Sequence, residues 1–118
     1  MNRRVVVTGM GLVTPLGIGV QDTWQALCAG KSGVGEITRF DTTKFQTKIA
    51  AEVKDFRAED FLPKKEAKRT ERFIAYAIAA TRMAMEDSGL VIDDTNAERV
   101  GVITGCGLGG LSILEDTC

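Results

Sequence analysis

Val5, Val6 and Val7 are three consecutive β-branched residues with no polar alternation, and they empty into a stretch punctuated by Gly9, Gly11, Pro15 and Gly17. An unbroken apolar run of this kind suits a strand covered on both faces, as in a layered α/β domain, better than one with a wet face. The strand is expected to end at Thr8-Gly9. A strand emptying into a glycine loop is how many α/β proteins build a site. The dinucleotide fingerprint G-x-G-x-x-G does not close here. Gly9 and Gly11 fit, but Thr14 holds the third place and Pro15 follows it. Thr-Pro-Leu-Gly predicts an extended or turn segment where a pyrophosphate needs a helix N-terminus. Glycines serving a tight turn are the simpler reading.

The 118 residues suffice for one small domain, with no low-complexity linker or evident domain boundary. Hydrophobic residues make up 44% and charged residues 26%, the balance of an ordinary globular chain. A net charge of −1 gives no global field for nucleic acid or an anionic membrane. No apolar run has the length of a membrane span, and Met1-Asn2-Arg3-Arg4 lacks the apolar core of a signal peptide, so the cytoplasm is expected. Cys28, Cys106 and Cys118 are odd in number and scattered, which predicts reduced thiols. The chain contains no histidine and no C-x-x-C pair. That removes the usual base for a cysteine nucleophile and the usual zinc ligand sets. The last residues, LSILEDTC, carry no helix-stop signal, so the sequence reads as part of something longer.

Val20 to Ala29 is expected to be helical, with Val20, Trp24, Leu27 and Cys28 on one apolar stripe and Gly30 as its stop. Cys28 then counts as a small buried residue. Residues 31 to 65 are the least regular part, with a short strand expected over Lys48 to Val53. The longest helix is expected from about Pro63 or Thr70 to Asp87, ended by Gly89. Phe73, Ile74, Ala77, Ile78, Ala80, Ala84 and Met85 share one broad face, with Ala75, Tyr76, Ala79 and Met83 on the other side. A helix apolar almost all round belongs between two layers. Val91 to Ala97 is a polar connection, and Arg99 to Thr104 reads as a second buried strand.

That second strand also ends in Thr-Gly, and Gly105 to Gly110 does satisfy G-x-G-x-x-G. A nucleotide-binding α/β fragment using this loop is therefore an alternative. The strand lies far from the N-terminus, and the acidic residue expected about twenty positions on cannot be checked. Cys106 sits where an exposed nucleophile could sit. Nothing in the sequence supplies its base, and Thr104 and Leu108 occupy the glycine positions of a nucleophile elbow. Cys106 is read as a small residue near a pocket.

VVVTGMGLVTPLG, followed by a helix containing Trp24, resembles the N-terminus of the β-ketoacyl-acyl-carrier-protein synthases, most nearly the elongating type II enzymes of bacterial fatty acid synthesis. The likeness continues through FDTTKF (Phe40–Phe45), KKEAKRTERFIAYA (Lys64–Ala77), MEDSGL (Met85–Leu90) and RVGVITGCGLGGL (Arg99–Leu111). It runs in order over essentially the whole chain. It implies a thiolase-like layered αβαβα fold, with residues 1–118 forming part of the first of two duplicated halves and residues 31 to 65 a cap. It also offers another reason for the Gly105–Gly110 loop. The complete protein would condense an acyl thioester with malonyl-acyl carrier protein by decarboxylative Claisen chemistry, without a cofactor or metal. Its catalytic cysteine and two histidines would lie beyond Cys118, so no catalytic residue is expected here and the fragment alone should be inactive. Cys106, Gly107 and Leu108 would contact the acyl group, with Leu108 matching the position that lines the acyl pocket. Lys65, Lys68 and Arg69 match basic positions that dock the acidic acyl carrier protein. Lys64, Lys65, Lys68, Arg69 and Arg72 share a roughly 140° arc if the segment is one helix. A solvated face is the bland reading of that arc. A homodimer is expected of the complete enzyme. A non-catalytic chain-length-factor relative is a further alternative.

Overall fold

The structure is a computed structural model and describes residues 3–117. The longest element, α3 (Arg72–Ser88), ends where Gly89 takes the left-handed conformation at φ 63°, returning its N–H to the Glu86 carbonyl. Ala75 and Ala79 lie one turn apart on its buried side and are 1% and 0% exposed. The N-terminal loop crosses the same helix along the row Ala80, Ala84 and Ser88. A methyl group on Gly11 would lie 2.8 Å from the Ala80 carbonyl carbon and 2.9 Å from the Ala84 nitrogen. One on Gly9 would lie 2.7 Å from Ser88 Cβ. Between them the Met10 N–H donates to Asp87 Oδ2 at 2.8 Å. Gly9 and Gly11 thus serve backbone-to-helix approach, a stricter demand than the tight turn read from the sequence.

The loop then doubles back as a small hairpin of β1 (Val13–Thr14) and β2 (Gly17–Ile18), with Thr14 opposite Gly17. Pro15 and Leu16 form the turn, and Thr14 Oγ1 accepts the N–H groups of Leu16 and Gly17 at 3.1 and 3.2 Å. Helix α1 (Val20–Cys28) follows from Gly19 at φ 98°. Its buried face is Thr23 and Ala26. The Thr23 hydroxyl donates to the Gly19 carbonyl at 2.8 Å and lies 3.2 Å from Thr14 Oγ1, so this buried polar group is satisfied. The stripe expected to be buried turns outward instead: Trp24 is 64% exposed, and Leu27 and Cys28 are exposed too. Periodicity found the helix, but the threonine-capped hairpin decided which side of it is covered.

A second hairpin pairs β3 (Val34–Glu36) with β4 (Ile49–Ala51), antiparallel, with Gly35 opposite Ala50. Beyond it, a single 3₁₀ turn at Ala58–Asp60 leads into the four-residue α2 (Lys64–Ala67). Of the two starts expected for the long helix, the one at Pro63 fails and the one near Thr70 holds, because the chain breaks here. Thr70 gives its N–H and its hydroxyl to the Glu66 carbonyl, and Glu71 is non-helical at ψ 146°, so α3 starts afresh. A second 3₁₀ turn at Ala97–Arg99 and α4 (Leu111–Thr117) complete the described elements.

The two expected strands are the main correction. Neither Val5–Val7 nor the run from Val100 to Thr104 joins a ladder, and Arg99 belongs to a 3₁₀ turn. Val5 is 85% exposed and Ile103 fully so. A doubly covered strand needs neighbours on both edges and both faces, and no described residue pairs with either run. The radius of gyration is 17.5 Å, against about 13.5 Å for a compact chain of this length. The accessible surface is 10079 Å², against roughly 6,200 Å² for a compact chain of this mass.

Candidate functional site

One cavity of 440 Å³ lies between α3 and the glycine loop that follows Val100–Thr104. Phe73, Ile74, Tyr76 and Ala77 line it from the helix, and Thr104, Gly105, Cys106 and Gly107 from the loop. The seam closes at Gly109. A Cβ there would fall 2.7 Å from the Phe73 ring and 2.9 Å from Cys106 Sγ, so only a hydrogen lets ring and thiol meet the loop. No lining side chain is charged. Such walls suit a hydrocarbon or another uncharged group and offer a phosphate no cation. The Gly105–Gly110 loop does lead into α4, but the residues before it form no ladder, so only half of the nucleotide fingerprint's context is present.

The structure brings Cys106 and Gly107 into this cavity and leaves Leu108 outside its lining, 75% exposed. Cys106 is a free, exposed thiol. The lining holds no imidazole, amine or carboxylate that could take its proton. Among the described residues no three His, Cys, Asp or Glu side chains gather to hold a metal ion. Sequence reasoning missed Tyr76 as a wall residue by assigning it to the far side of α3. A cavity that spans a wide sector of a helix is not confined to one stripe.

The basic residues form a separate surface. Lys64 and Lys65 are on α2, while Lys68 and Arg69 occupy the turn after it, so the single helical arc becomes a helix end plus a turn. All four are exposed, and among the described residues none has a carboxylate at ion-pair distance. The turn is fixed by backbone bonds from Arg69 N and Thr70 N to the Glu66 carbonyl, both 2.9 Å. Four unpaired cations on a short anchored segment make a local positive patch on a nearly neutral chain.

Residues 2–117 match the family model described as the beta-ketoacyl synthase N-terminal domain. The chain belongs to the beta-ketoacyl synthase family. It is 50% identical over 114 residues to a 3-oxoacyl-[acyl-carrier-protein] synthase 2 of Synechocystis, and 55% identical over 113 residues to one of Coxiella burnetii. These alignments cover 97% and 96% of this chain but 27% of each relative, so the chain spans about a quarter of their length. A solved structure, the ishigamide ketosynthase/chain length factor, superposes with a TM-score of 0.67 at 41% identity, covering 77% of this chain and 23% of that one. The fold is therefore the thiolase-like α/β fold of the ketosynthases, of which these residues are a part. No helix among the described residues is long and apolar enough to cross a membrane.

Proposed function

We propose that these residues serve a 3-oxoacyl-acyl-carrier-protein synthase that condenses an acyl thioester with malonyl-acyl carrier protein. The observation that carries this reading is the match over residues 2–117, with 50% and 55% identity to synthases of that name. The chemistry is a decarboxylative Claisen condensation. The acyl group passes from its carrier to a cysteine thiolate, malonyl loses carbon dioxide, and the resulting enolate attacks the acyl carbon and releases the cysteine. The 118 residues hold no histidine, and among the described residues no base lines the cavity with Cys106, so they supply binding surfaces rather than the reacting groups. Cys106 and Gly107 meet the acyl chain in the uncharged cavity, and exposed Leu108 offers it further apolar surface. Residues 1–118 act as the N-terminal part of one condensing domain.

Lys64, Lys65, Lys68 and Arg69 receive the acidic carrier protein. In a complete enzyme with this N-terminus, Lys65→Glu with Lys68→Glu is expected to raise KM for carrier-protein substrates. The rise should be roughly tenfold, taking about 0.7 kcal/mol for each reversed surface charge. The KM should also become less sensitive to salt. Turnover of a small acyl-CoA surrogate should stay within twofold, as roughly expected when only rim charges change. Equal losses with both substrates would assign these charges to the fold or the active site.

The solved relative's description as a ketosynthase/chain length factor favours a second reading, a non-catalytic partner that keeps the fold. The two part on one measurement. An active synthase incubated with acyl thioester gains the acyl mass covalently, and a non-catalytic relative does not.

A further inference from the structure

Tyr76 belongs to two cavities at once. Besides the one it shares with Cys106, it lines a smaller space of 330 Å³ with Ile37, Arg39, Phe40, Glu52 and Val53, beside the β3–β4 hairpin. On that side its hydroxyl is held. Arg39 Nη2 donates to Tyr76 Oη at 3.1 Å and to the Val53 carbonyl at 3.2 Å. Arg39 is itself kept in place by Glu52, whose Oε1 lies 4.0 Å from Arg39 Nε. The Thr38 hydroxyl donates to Glu52 at 2.7 Å and holds that carboxyl below its ordinary value, so it stays an anion beside the guanidinium. The ring of Tyr76 meets the Phe56 ring edge to face, with centroids 4.7 Å apart at 87°. One side chain of the cavity wall is therefore positioned from outside the cavity, by a residue 37 places earlier in the chain.

We propose that Tyr76 is a specificity-determining residue for the acyl chain, and that Arg39 is the positioning residue that holds it off the cavity. This rests on the reading of the α3–loop cavity as an acyl site. The hydroxyl is drawn toward the hairpin, and the same residue lines the cavity with Phe73, Ala77 and the loop. Losing the hydrogen bond frees the ring to turn over the cavity and shorten it. Long acyl groups lose room and short ones do not.

The test compares kcat/KM for long and short acyl thioesters in a complete synthase carrying this N-terminal segment. Tyr76→Phe keeps the ring and deletes only the hydroxyl. It is expected to lower the long-to-short ratio about threefold, the worth of one modest hydrogen bond. Arg39→Gln should do the same, and the double variant should fall no further than Arg39→Gln alone, because the Arg39–Tyr76 bond is already gone in it. Additive losses, a ratio that rises, or equal losses at every chain length would overturn the proposal. Ala77→Leu fills the same cavity without touching Arg39 and separates the two readings. If it shifts the chain-length profile while Tyr76→Phe does not, the role of Tyr76 and Arg39 fails alone. If neither shifts it, the acyl assignment of the cavity fails with them.

Discussion

Gly11→Ala should release the N-terminal segment from α3 and lower stability by about 3 kcal/mol or more, the upper end of the cost of overpacking. The added methyl has nowhere to go. It meets the Ala80 carbonyl and the Ala84 nitrogen, which are backbone atoms of a helix and cannot rotate aside like a side chain. The loop would have to lift, and lifting breaks the bond from Met10 N–H to Asp87. The measurement is the melting temperature and soluble yield of a complete synthase carrying the substitution. A melting temperature unchanged within a degree would show that the loop does not lie on α3 as described. Gly9→Ala is expected to act in the same direction, against Ala84 and Ser88.

Residues 1–118 expressed alone should show no cooperative thermal transition and should bind hydrophobic dyes or aggregate. The accessible surface of 10079 Å² exceeds the compact expectation by roughly 60%. The excess is apolar in kind: Val5, Val7, Trp24, Val102, Ile103 and Leu108 are all more than half exposed. Among the described residues the buried hydrophobic side chains are alanines, Ala26, Ala75 and Ala79, each of which buries little area. A sharp transition together with a monomeric elution volume would overturn this, and would make the segment an independent small domain.

Local signals carried much of the architecture. Gly30 and Gly89 do adopt the left-handed conformation that ends a helix, and both helices stop within two residues of the expected places. Lys48 to Val53 does contain β4. What failed depended on partners. Val5–Val7 and Val100–Thr104 have strand composition, yet a ladder is a property of two segments, and composition says nothing about whether the second is present. The face of α1 was misassigned because Thr23 is buried through bonds to Gly19 and Thr14, a local hydrogen-bond network that a hydrophobic stripe cannot reveal. The break after α2 lies at Glu71, whose ψ of 146° leaves no mark in a side-chain pattern. Of the three residues the resemblance set against the acyl group, the cavity takes in Cys106 and Gly107 and leaves Leu108 out. Tyr76 and Arg39 were not legible as site residues, because their meeting across 37 residues leaves no mark in local spacing.

The seating of Gly9 and Gly11 on α3 also sets an order of events during synthesis. Met10 leaves the ribosome 77 residues before its partner Asp87. At 5–20 residues per second that is a wait of roughly four to fifteen seconds. Through that interval this segment is made but cannot be placed on α3.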